Sequence, residues 1–150
     1  MEKKTGNWFL IGDIHGDAVP IHVFYEKNRE KLSADPEENH LILLGDFGAN
    51  YALTGQRDYR LKKTLSEYPF TYIALRGNHE ARVKTVKDKF PQQWEVISKY
   101  GGQIYREKEF PQIEYLSDEP AVYEFCGYKT FSIPGAYSVD KWYRLRNGWP

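Results

Sequence analysis

A chain of 150 residues has the length of one ordinary domain and enough material to bury a sizeable core. Its 21 basic and 21 acidic residues cancel, so no global field draws it to nucleic acid or to an anionic membrane surface. Aromatic residues at 16% argue against a disordered chain, and a single cysteine, Cys126, excludes an internal disulfide framework and a cysteine-rich zinc site.

The start, Met1 to Thr5, is charged, and the apolar run after it is short and broken by Asp13. It cannot serve as a signal-peptide core. No stretch approaches the roughly 18 apolar residues of a membrane helix. With one cysteine suited to a reducing compartment, the expectation is a soluble cytoplasmic domain.

The first half of the chain alternates strand and helix. Trp8-Phe9-Leu10-Ile11 reads as a buried strand, released by Gly12-Asp13-Ile14-His15-Gly16. Asp17 can cap a helix with Ile21, Phe24 and Tyr25 on one face, closed by the charged run Glu26 to Lys31 and a turn at Ser33 to Pro36. A second apolar strand, Leu41 to Leu44, ends at Gly45-Asp46. A polar loop from Asn50 to Arg57 leads to a helix with Leu61, Leu65 and Tyr68 in register, stopped by Pro69. A third strand, Phe70 to Leu75, ends at Gly77-Asn78-His79-Glu80.

Beyond this point Pro91 suits the first turn of a helix carrying Trp94 and Ile97, ended by Gly101-Gly102. From Gly102 the runs shorten: Ile104-Tyr105, Ile113 to Leu116, Ala121 to Phe125 and Lys129 to Ile133. The pair around Cys126-Gly127 reads as a hairpin, and the whole segment as a second sheet packing on the first. The tail from Pro134 to Arg144 reads as an aromatic and basic loop. The chain stops at Asn147-Gly148-Trp149-Pro150 without a cap, charged tail or closing strand, so the amino-terminal portion of a longer protein is expected.

The three strand-end clusters lie roughly thirty residues apart, the length of one βαβ unit. Ligands gather at the carboxyl ends of strands in open α/β sheets, so the clusters should meet on one edge. Asp13, His15, Asp46 and Asn78 offer carboxylate, imidazole and amide oxygen without thiolate. Such a set suits Mn²⁺, Fe²⁺ or Zn²⁺. If one carboxylate bridges, two cations about 3.5–4 Å apart can clamp an in-line phosphoryl displacement. Water bound there would ionise near neutral pH and become the nucleophile. His79, one residue past a ligand, would face the leaving group as general acid. Gly12, Gly45 and Gly77 let the chain turn at each strand end, and Gly16 lets it pass near a phosphate.

Each residue also has a plainer reading. A lone Asp or Asn at such a turn is usually a cap or turn former, and a lone His a satisfied polar group. Capping does not require His at two clusters, which favours the metal reading for the set. His22 and His40 lack this context and are read as structural or exposed, and Cys126 as packing.

The series G-D-x-H-G, G-D and G-N-H-E resembles the calcineurin-like metallophosphoesterase superfamily. Leu75 to Glu80 is similar to its serine/threonine phosphatase branch, and Gly135 to Lys141 to a stretch of bacterial and phage-type members. The resemblance spans nearly the whole chain, read as one domain over residues 1–150. It implies a four-layer α/β/β/α sandwich, incomplete at the carboxyl end, around two divalent metal ions. Asp13 and His15 would bind the first, Asp46 would bridge, Asn78 would bind the second, and His79 would donate a proton or contact phosphate. In protein phosphatases of this superfamily the second motif reads G-D-x-V-D-R-G; Gly45 to Asn50 lacks its later Asp, which steadies the histidine, and its Arg, which grips phosphate. Arg76, Asn50 and Lys141 remain as candidate substrate contacts; Lys141 and Arg144 could reach a substrate phosphate from the tail, but solvated surface charge is the favoured reading of both. None of the four histidines follows His79, so the second cation has only Asp46 and Asn78.

The expected activity is hydrolysis of a phosphorylated small molecule or phosphoprotein, with Asp46 and His79 catalytic. The alternative is a remnant that binds metal or phosphate without turnover. A P-loop or dinucleotide-binding domain is excluded, since neither glycine signature occurs.

Overall fold

The computed structural model describes residues 6–51, 55–135 and 139–148. Residues 1–5, part of the polar loop (52–54), the stretch 136–138 and the last two residues of the tail lie outside the described residues.

Strands β1 (Asn7–Ile11), β2 (Asn39–Leu44) and β3 (Thr71–Leu75) run parallel and adjacent. Their connections hold helices α1 (Val19–Asn28) and α2 (Gln56–Leu65). A third helix, α3 (Val83–Lys89), precedes the hairpin of β4 (Trp94–Lys99) and β5 (Gly102–Glu107). Strand β6 (Ile113–Leu116) then returns parallel to β3 and antiparallel to β5. The result is one six-stranded sheet in the order β1-β2-β3-β6-β5-β4. A separate hairpin, β7 (Ala121–Phe125) and β8 (Tyr128–Ser132), forms a second sheet, and α4 (Lys141–Arg146) follows.

Strands buried on both faces read as continuous apolar runs, and these sort by strand parity into two cores. Phe9, Ile11, Leu41, Leu43, Tyr72 and Ala74 face Ile21, Leu61, Leu65, Val83 and Val86 of the three helices. Trp8, Ile42, Ile73 and Leu75 face the other way, where Tyr123 and Phe125 of β7 cover Ile104 and Leu116. Among the described residues this makes three layers, α/β/β, of the expected sandwich. No described helix is long and apolar enough to cross a membrane.

Several expectations hold locally. Ile21 is fully buried on α1, with Phe24 and Tyr25 packed beside it. Asp17 accepts a hydrogen bond from the Val19 N–H at 2.9 Å, one step ahead of the cap position itself. Cys126-Gly127 is the β7–β8 turn, with φ of 51° and 79°. His40 is structural, stacked on Trp8 with ring centroids 3.9 Å apart.

Four expectations are corrected. The helix expected after Pro91 is strand β4. A helix would put Trp94 and Ile97 on one face; the two-residue period of a strand sends Trp94 into the helical core and Ile97 into the other. Tyr100 and Gly101, with φ of 56° and 76°, make the two-residue turn that pairs Lys99 with Gly102. Second, Ile104-Tyr105 and Ile113 to Leu116 complete the first sheet, and the second sheet begins only at Ala121. Third, α3 lies where no helix was expected. Its first N–H groups, of Val83 and Lys84, are capped at 3.1 and 2.8 Å by the Asp118 carboxylate, far along the chain. Fourth, residues 141–146 of the tail form a helix rather than a loop.

Candidate metal centre

Ile11 lies opposite Leu43, and Leu44 opposite Leu75, so the loops after β1, β2 and β3 leave the sheet at nearly one level. Backbone bonds lace the first two loops: His15 N–H to Asp46 O at 2.8 Å and Gly16 N–H to Phe47 O at 2.9 Å. The packing requires glycine at Gly48, where a Cβ would run into the Gly16 backbone. Glu80 ties the second loop to the third. One carboxylate oxygen accepts from Gly48 N–H at 2.8 Å and the other from Gly77 N–H at 2.7 Å. Burial pushes the Glu80 carboxyl above the usual carboxylate range, while those two N–H groups pull it back.

This lacing brings Asp13, His15 and Asp46 together. One ligand atom from each lies within 4.8 Å of the others. His15 Nε2 is 2.8 Å from Asp13 Oδ1, both side chains being more than half exposed. Donors about 2.0–2.2 Å from a shared cation stand at most about 4.4 Å apart, so small side-chain shifts close the set around one ion. The donor types, two carboxylates and an imidazole, fit a divalent cation. His15 and Asp46 have φ of 44° and 42°, strained for residues with a Cβ. Strain of this kind, over-determined by surrounding bonds, collects at functional sites.

The other expected residues divide. Asn78 is half-buried, and the N–H of the next residue, His79, donates to Asp46 Oδ1 at 3.0 Å. The His79 ring lies edge-on to His15, with centroids 5.3 Å apart. Asn50 is hydrogen-bonded to helix α2. It is buried, and its side-chain oxygen accepts from Lys62 Nζ at 3.1 Å, an ammonium also paired with Glu107. Arg76 is likewise committed, with its Nε 3.1 Å from the buried Asp118 carboxylate. Lys141 is exposed at the start of α4.

The structure adds three features to the expected set. Glu80 stood in the third motif without a role. Arg144, read as solvated charge, is buried and donates from Nη2 to Asn78 O at 2.8 Å, with Nη1 3.3 Å from His79 Nδ1. A groove of about 560 Å³ beside Gly16 and Gly48 has Arg57 and Arg60 of α2 in its lining. Only the basic character of 57–60 hints at it.

The fold and the site together define an α/β protein with a carboxylate–imidazole cation site at the carboxyl ends of three parallel strands. The calcineurin-like phosphoesterase family matches residues 9–150, and the chain belongs to that family. Its class of activity is metal-dependent hydrolysis of phosphoesters. No solved structure matches the chain.

Proposed function

We propose that this chain carries the centre of a phosphomonoesterase acting on a phosphorylated small molecule or phosphoprotein in the cytoplasm. The observation that carries this reading is the convergence of Asp13, His15 and Asp46 from two loops onto one spot. In this reading they hold one Mn²⁺, Fe²⁺ or Zn²⁺ ion, and Asp46 with Asn78 holds a second. Bound cations would supply Lewis-acid activation of phosphate and of water. His79, beside the triad, gives a proton to the departing oxygen or holds a phosphate oxygen. The exposure of Asp13 and His15 leaves the centre open to substrate from solvent, and Arg57 and Arg60 suit an anionic leaving group. The test is manganese-dependent hydrolysis of an aryl phosphate, lost at least about 100-fold in Asp46→Asn. Turnover surviving that change ends the proposal.

A second reading is binding without turnover. It is favoured by the donor set, since the described residues bring together one cluster of three His/Asp donors, Asp13, His15 and Asp46, enough for a single cation. It predicts one tightly held cation per chain after dialysis and no hydrolysis, measured side by side.

A further inference from the structure

Arg144 reaches the candidate centre from α4 and is almost fully buried there. It is held at three points. Nη2 donates to Asn78 O at 2.8 Å, Nε lies 3.4 Å from Asp140 Oδ1 one turn back, and Nη1 lies 3.3 Å from His79 Nδ1. The last contact constrains chemistry. A guanidinium has donors and no acceptor, whereas a neutral imidazole has one nitrogen of each kind. The Nη1–Nδ1 contact is a hydrogen bond only if Nδ1 accepts, which leaves the ring proton on Nε2.

We infer that Arg144 is a positioning residue that holds His79 in its Nε2–H tautomer, so that His79 meets substrate as a hydrogen-bond donor. The ring cannot then offer an Nε2 lone pair to a cation or act as a base from that atom. This matches the role given to His79 above and excludes two others open to a histidine beside a metal centre. The same side chain grips the Asn78 carbonyl, so it also sets the backbone between a metal-ligand candidate and the donor. The kinetic consequence rests on the phosphoesterase reading; the tautomer does not.

The deciding experiment is long-range ¹H–¹⁵N NMR of the histidine rings in the metal-free full chain, at a pH above the ordinary imidazole range, with His79→Gln identifying the His79 signals. Wild type should show Nε2 protonated and Nδ1 as acceptor. Arg144→Met should release the ring to a mixture of tautomers, and Arg144→Gln, whose amide can still donate, should restore the single form. A wild-type ring with its proton on Nδ1 overturns the inference, as does a tautomer unchanged in folded Arg144→Met. The His22 and His40 signals report whether that variant keeps its fold; if it does not, the wild-type tautomer decides alone. Where the full chain hydrolyses aryl phosphate, Arg144→Met should lower kcat roughly 10- to 100-fold at nearly constant KM, with recovery in Arg144→Gln. A chain without turnover ends the phosphoesterase reading and leaves the NMR result standing.

Discussion

Gly77 lies directly against Asp46: a Cβ placed on Gly77 would overlap both the carboxylate oxygen Oδ1 and the backbone nitrogen of Asp46. The third strand-end loop therefore closes over the second only because this position has no side chain. That contact explains why the glycine is needed, which is a matter of space rather than of a left-handed turn. Gly77→Ala should push Asp46 out of the triad, weaken manganese binding at least tenfold in calorimetry and cost about 1–3 kcal/mol of stability. Unaltered affinity would show that the loop can yield.

Glu80 should prove structural rather than catalytic. Its two oxygens each accept from a backbone N–H, of Gly48 and Gly77. Glu80→Gln keeps the shape but turns an amide donor toward one of those donors, leaving it unpaired at a cost of roughly 1–3 kcal/mol. Urea unfolding of the metal-free protein reads this directly. Equal stability would mean that another acceptor replaces the lost one.

On the opposite face of the sheet, two buried groups give pH dependences of opposite sign. Burial first, and the nearby Lys99 second, hold His40 below the ordinary imidazole range. Its contribution to stability is complete above about pH 6.5 and is lost as the pH falls toward its lowered folded value. His40→Phe, which keeps a ring against Trp8, should flatten the acid side of the stability curve.

Burial of Glu114 outweighs its 2.7 Å bond from Lys99 and raises its carboxyl above the usual range, with Glu37 adding to the rise. Its contribution is complete below about pH 4.3 and is lost as the pH climbs through the raised folded value. Glu114→Gln should remove that loss and leave the protein as stable at neutral pH or about 1 kcal/mol more so. Lys99→Met strands the buried carboxylate and should cost roughly 3–5 kcal/mol. Denaturant titrations across this pH range, on each variant, separate the two signs.

Cys126 occupies the first position of the β7–β8 turn with φ of 51°, a conformation that suits asparagine better than cysteine. Cys126→Asn should stabilise the chain by roughly 0.5 kcal/mol, seen as a raised unfolding midpoint. A fall would show that the thiol packs in a way its partial exposure does not suggest.

The first three strands and the clusters at their ends were legible because glycine and a metal-competent side chain follow each apolar run within three residues. Helix α3 was not, because its cap comes from Asp118 and no local cap precedes it. Nor was the β4–β5 hairpin. Its turn uses Tyr100 where asparagine would have been a signal, and Trp94 with Ile97 has the three-residue spacing of a helical face.

The sequence by itself determined the kinds of ligand, their attachment to strand ends and the family they belong to. Only the tertiary structure decided which polar side chains are bonded into the frame and which lie against the candidate centre. Asn50 turns inward to Lys62 and Arg76 to Asp118, while Arg144, read as solvated charge, closes on His79. The physical reason is that a buried polar group must find a partner, and these partners lie from a dozen to more than sixty residues away, beyond the reach of any local spacing.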